Sequence, residues 1–142
     1  MSDAIKLYFE IPGDDLATAG EASSSVKKML NQLGISPHTI KKAAVSMYEA
    51  ELNAVIHAQG GTANIEISQE RIIIEINDQG PGIPDIELAM REGYSTAPDY
   101  IREMGFGAGM GLPNMKRYAD EFSLASEVGK GTKVRLVVNL NQ

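Results

Sequence analysis

The chain has 142 residues, a length that suits one compact domain whose core needs no metal or disulfide staple. It has no cysteine, which excludes a disulfide framework and any thiolate metal site and fits a reducing, cytoplasmic setting. The net charge of −6, from 13 basic and 19 acidic residues, argues against non-specific binding of nucleic acid; the lack of a long apolar run or a basic leader argues against a membrane span or signal peptide.

Residues 4–11 alternate, with Ile5, Leu7, Phe9 and Ile11 on one side, and read as a strand with one buried face. Pro12-Gly13 breaks it. Asp14 or Asp15 is placed to cap a helix running to about Leu33, and Gly34 ends it. The small residues 22–25 in that helix predict close packing against another element. Ser36-Pro37 starts a second helix, because serine caps and proline fits the first turn; it should run to about Ala58, with Gly60-Gly61 as the stop. Residues 63–68 and 71–77 read as an antiparallel hairpin, Ile65 and Ile67 lying across from Ile72, Ile74 and Ile76. A Gly/Pro loop at 78–84, a short helix at 86–91 and a mobile loop at 93–109 follow. Residues 112–121 read as a helix. Residues 122–127 and 132–140 read as a closing hairpin, with Val134, Leu136, Val138 and Leu140 on one face. Hairpins outnumber crossovers in this order. The expected fold is an α/β (α+β) two-layer sandwich, a mixed β-sheet with helices on one face, in a single domain spanning 1–142.

Three segments carry residue types suited to chemistry. On the second helix, Glu49 and Asn53 lie ~40° apart at ~100° per residue, inside a stripe of Val45, Leu52 and Ile56. The opposite face, with Ile40, Met47, Ala54 and Ala58, is apolar too. Glu49 then either reaches water at the stripe's edge or is a functional group held against apolar surface. Glu51 points nearly the opposite way, so the two glutamates are not a catalytic pair. Asp78-Gln79-Gly80-Pro81-Gly82-Ile83 follows a strand; its aspartate can accept from an amine, and its glycines let a flat ring approach the backbone, although the same residues make ordinary turns. Gly105-Phe106-Gly107-Ala108-Gly109-Met110-Gly111-Leu112 leads into a helix, where free N–H groups and the helix dipole suit phosphate. Neither a P-loop nor a dinucleotide fingerprint is present. His38 and His57 have no paired ligand spacing, so they read as structural or exposed.

Taken in order, these pieces resemble the GHKL, or Bergerat-fold, ATPases. Glu49-Ala50-Glu51-Leu52-Asn53 resembles that superfamily's N-box, Asp78–Ile83 its Asp-x-Gly-x-Gly box, Gly105–Leu112 its second glycine box and Gly131-Thr132 its closing Gly-Thr. The runs 77–86 and 107–117 are similar to the bacterial anti-sigma-factor serine kinases, in particular the switch-kinase branch of partner-switching systems. The resemblance implies ATP and Mg²⁺ as cofactors. Asn53 would hold the Mg²⁺, and Glu49 would be the general base for a substrate serine. Asp78 would accept the adenine amino group, and Gly80, Gly82, Ile83 and Thr132 would shape the adenine pocket. Gly105, Gly107, Gly109 and Gly111 would wrap the phosphates, with Leu112 starting the helix beneath them and Met110 among the cofactor-binding residues, and 93–109 would be the lid. Residues 95–104 look longer than the lid of the nearest relatives. The first helix carries Lys27 and Lys28 but no arginine, so no partner-contact residue carries over to it.

The implied activity is a protein-serine/threonine kinase acting on a STAS-type anti-sigma-antagonist, with a sigma factor or a phosphatase as further partners and a homodimer as the assembly. An ATP-dependent binding module with little kinase activity uses the same pocket and stays open. A detached histidine-kinase catalytic domain is a third reading, opposed by the lack of a hairpin carrying a phospho-acceptor histidine.

Overall fold

The computed structural model describes residues 4–13, 17–58, 60–80, 82, 90 and 111–140. The elements are β1 (Ile5–Pro12), α1 (Glu21–Gln32), α2 (Pro37–Ala58), β2 (Gly60–Ile67), β3 (Arg71–Asn77), α3 (Gly111–Tyr118), β4 (Glu121–Glu127) and β5 (Gly131–Asn139). The strands form one sheet in the order β1-β2-β3-β5-β4.

Strand alternation builds the core. Leu7, Ile65, Ile74, Leu136 and Phe122 form one row across all five strands, and Phe9, Ala63, Ile76, Val134 and Leu124 form the next. These rows meet Val26 and Leu30 of α1, Ile40 and Met47 of α2 and Met115 of α3 in one apolar cluster. Leu30, Met47, Ile74 and Leu136 are fully buried, each contributing about 1.5–3 kcal/mol relative to exposure. The other sheet face alternates toward solvent through the row Tyr8, Asn64, Glu75, Arg135 and Ser123, and Tyr8 is 57% exposed. The two-layer plan with helices on one face is therefore as expected.

The mixed pairing is not observed: all four strand pairs are antiparallel. Two helices separate β1 from β2, so the chain returns reversed. β5 then lies between β3 and β4 and pairs antiparallel with both. Ile65 pairs with Ile74 and Ile67 with Ile72, as the alternation predicts, and Ile76 pairs with Ala63. β2 begins earlier than expected: Gly60 and Gly61 pair with Pro12 and Ile11, so the glycines belong to the ladder rather than to a spacer.

α1 also starts later than the sequence predicts. Its N-cap is Gly20 (φ 98°), which supplies no capping side chain; Asp14 and Asp15 lie outside the described residues. Its end is as expected. Ile35 N–H donates to Leu30 O (3.2 Å) and Gly34 N–H to Asn31 O (3.1 Å), a Schellman closure. α2 opens at Pro37, with Ser36 Oγ accepting from Thr39 N–H at 3.4 Å. Lys42 of α2 pairs with Asp120, whose other oxygen accepts Asn139 N–H at 2.7 Å, so the helical layer is tied to the sheet edge. Among the described residues no helix is long and apolar enough to cross a membrane. The short helix expected at 86–91 (apart from Met90, in a turn) and the loop at 93–109 lie outside the described residues.

Candidate functional site

Asp78 stands immediately after β3, and the backbone fixes it. Its N–H donates to Thr132 O (2.9 Å), while its Oδ1 accepts Gly80 N–H (3.0 Å) and Thr132 N–H (3.1 Å). Two donors on one oxygen hold the carboxylate in a single orientation. Among the described residues none donates to Oδ2.

Close backbone approach explains the glycines around it. A Cβ at Gly131 (φ 121°) would stand 2.1 Å from Asp78 O, and one at Gly82 (φ 79°) would stand 2.5 Å from Glu127 O. The Asp78 loop and the start of β5 thus approach each other backbone to backbone, in addition to the hydrogen bond from Thr132 N–H to the Asp78 carboxylate. Thr132 Oγ1 lies 2.9 Å from Ser126 Oγ, which locks the threonine side chain against β4. Thr132, 54 residues further along the chain, is thus brought against the loop that holds Asp78, Gly80 and Gly82.

The second group lies on α2. Glu49 and Asn53 are both half-buried, one turn apart on the same face. Burial pushes the Glu49 carboxyl above the ordinary 4.5, and a side-chain hydrogen bond from Asn114 of α3 pulls it the other way. Glu49 is therefore neither free in water nor sealed in the core. Asn114 is a residue the sequence reading passed over; it sits in a run notable for its glycines, and only the packing of α3 on α2 brings it to Glu49. Leu112 is buried in the core, and Gly111 is the first residue of α3, so that helix presents its N-terminal N–H groups at the end of the glycine run. Ile83, Gly105, Gly107, Gly109 and Met110 lie outside the described residues. Among the described residues, no hydrogen bond joins the Glu49–Asn53 face to the Asp78 group, and no three-residue cluster of His, Cys, Asp or Glu could hold a metal ion.

Glu51 has a role that sequence alone does not reveal. It is 2% exposed, and its carboxylate accepts Gly20 N–H (2.9 Å), Ala22 N–H (3.1 Å) and Ser23 N–H (2.9 Å). It caps α1 from a different helix. The only sequence signal is a negative one: α1 begins after a glycine, with no capping side chain of its own. Tyr48, next to Glu49, has its hydroxyl pKa raised by burial, with Glu49 and Glu51 adding to the shift.

A family model described as histidine kinase-, DNA gyrase B-, and HSP90-like ATPase matches residues 44–142. The chain belongs to that family. It is 35% identical over 129 residues to the serine/threonine-protein kinase RsbT of Bacillus subtilis, with 87% of each chain covered. It is 34% identical over 118 residues to an anti-sigma F factor of Clostridium acetobutylicum, covering 80% of this chain and 79% of the other. Within the ATPase family it thus groups with the anti-sigma factors and RsbT-like serine kinases of partner-switching systems. The fold is shared with solved structures of low identity. One, of the RsbU and RsbW domains of Rv1364c from Mycobacterium tuberculosis, gives a TM-score of 0.65 at 15% identity and covers 96% of this chain but 32% of that longer one. Another, of the SiaB-SiaC complex from Pseudomonas aeruginosa, gives a TM-score of 0.60 at 14% identity, covering 93% and 88%.

Proposed function

We propose that the chain is an ATP- and Mg²⁺-dependent protein-serine/threonine kinase that phosphorylates a serine on a STAS-type anti-sigma-antagonist protein. The observation that carries this is Glu49: a half-buried carboxylate, raised in pKa by burial, one turn from an amide on the face of α2 that meets α3. A base poised above the ordinary glutamate range suits proton removal from a hydroxyl near neutral pH.

The residues present fit a bound nucleotide. Asp78 keeps one oxygen open as an acceptor for an exocyclic amine, and Gly80 and Gly82 give its loop no side chain that a flat base would have to displace. Asn53 would hold the metal through its amide oxygen, with phosphate and water completing the shell, as Mg²⁺ prefers. The start of α3 would face the phosphates with unpaired N–H groups. Mg²⁺ and ATP together supply the transferable phosphoryl group and the charge neutralisation. The protein contributes position: Glu49 orients the incoming hydroxyl and takes its proton, and Asn114 orients Glu49.

The test uses purified chain, Mg²⁺, labelled ATP and the STAS-domain protein encoded nearest to it, with acid-stable phosphate on that partner as the readout. Glu49→Gln should bind ATP normally and transfer phosphate on the order of 10²–10⁴-fold more slowly. Normal transfer by Glu49→Gln would remove the base assignment. Relatives named as anti-sigma F factors favour a second reading, an ATP-dependent module that captures a sigma factor. Capture of a sigma factor in the presence of ATP, with no phosphate incorporated into any STAS partner, would decide for it.

A further inference from the structure

The chain has 19 acidic residues, yet between Glu21 and Glu49 there is none, while that same stretch holds Lys27, Lys28, Lys41 and Lys42. The fold concentrates this local excess of positive charge on the helical layer. A groove of about 370 Å³ runs between α1 and α2. Lys27 and Asn31, one turn apart on α1, form one rim, and Lys41 of α2 forms the other. The floor is Ile40, Ala44 and Val45, with Pro37 at the end. Lys27 and Lys41 are exposed, and among the described residues no carboxylate pairs with either; Lys41 lies 6.0 Å from the centre of the Tyr118 ring. An apolar floor between cationic rims without a carboxylate partner makes an amphipathic surface on a molecule whose net charge is −6.

The groove also has a direction. Val45 and Glu49 are four residues apart on α2, hence on one face and separated by about 6 Å of helix. A segment that leaves the groove over Lys41 and Val45 would reach the Glu49 face of α2, on the far side of the helix from Ile40 and Ala44. We propose that the α1–α2 groove docks an acidic segment, bearing an aliphatic anchor, of the protein the kinase phosphorylates, and that it guides the acceptor hydroxyl toward Glu49. The anchor would sit on Ile40, Ala44 and Val45, and flanking carboxylates would meet Lys27 and Lys41. This rests on the kinase reading for the identity of the occupant, but docking is measurable without any transfer.

The experiment uses the full chain and two fluorescein-labelled peptides, one with Asp and Glu flanking a Leu-Ile pair and one with Gln and Asn in their place. Nuclear magnetic resonance maps where each binds, and a non-hydrolysable ATP analogue reports on the nucleotide site. The expected result is that the acidic peptide shifts the amides of Asn31 and Ala44 and binds at least about tenfold more tightly than the neutral one. Lys27→Glu/Lys41→Glu should then lose about tenfold in affinity for it, as two reversed charge pairs would give. Binding of the ATP analogue should be unchanged, which also shows that the variant folds. Equal binding of both peptides, binding unaffected by the double variant, or shifts confined to other surfaces would overturn the docking proposal. So would displacement of the acidic peptide by a short oligonucleotide at lower concentration, or a self-association that the double variant abolishes. Failure of phosphate transfer in the separate assay above, with peptide docking intact, would remove the kinase reading and leave the groove as a partner site.

Discussion

Glu49 is set by two opposing influences, and both can be changed. Burial raises its pKa and Asn114 lowers it. As a base it must be ionised, so activity should fall on acidification through a point above 4.5 rather than at it. Asn114→Ala removes the group that favours the charged form, so the acidic limb of the kcat/KM profile should move to higher pH while ATP binding holds. An unmoved limb would mean that Asn114 does not act on Glu49. The same shift has a sign for folding. The folded state favours the protonated carboxyl, so ionising Glu49 costs stability above the ordinary 4.5, and that loss is recovered as pH falls back through the raised pKa. The group is partly solvated, which keeps this cost small. That Glu49 and Asn53 share one face was legible from the chain, one turn apart in an apolar stripe, but that pattern alone left Glu49 either reaching water or held as a functional group. Asn114 was not legible, because its relation to Glu49 depends on how α3 crosses α2, and no local pattern encodes that.

Elements bring the residues of the proposed nucleotide site together, largely by close backbone approach. Gly131 has the left-handed φ and the carbonyl approach that only glycine tolerates. Gly131→Ala should cost at least about 2 kcal/mol in chemical denaturation, from strain plus displacement of Asp78, and should weaken ATP binding in parallel. An unchanged midpoint would show that β5 can shift its start without penalty. Helix and strand identities were readable because alternation and the Ser36-Pro37 start are strong local signals. Element starts were less so. α1 begins at Glu21 instead of near Asp14 because its cap comes from α2, 31 residues away in sequence. The antiparallel pairing was hidden for a related reason: insertion of β5 between β3 and β4 is a property of the whole sheet and not of any hairpin in it.

Among the described residues the three helices form one layer over a five-stranded sheet whose far face is mostly polar. Glu51 joins two parts of that layer. Glu51→Ala would leave the N–H groups of the N-cap Gly20 and of Ala22 and Ser23 in α1 without their partner, a loss of about 2–4 kcal/mol in unfolding free energy. Glu51→Gln, which keeps one acceptor oxygen, should lose less, and equal stability of all three proteins would show that water replaces the cap at no cost. A further consequence concerns motion. Glu49 and Glu51 sit ~200° apart around the same helix, one toward the candidate catalytic face and one into α1. Turning α2 about its axis to re-aim Glu49 would pull Glu51 off α1. The aim of the proposed base and the seating of α1 are therefore linked through α2, so that a rotation of that helix would change both together.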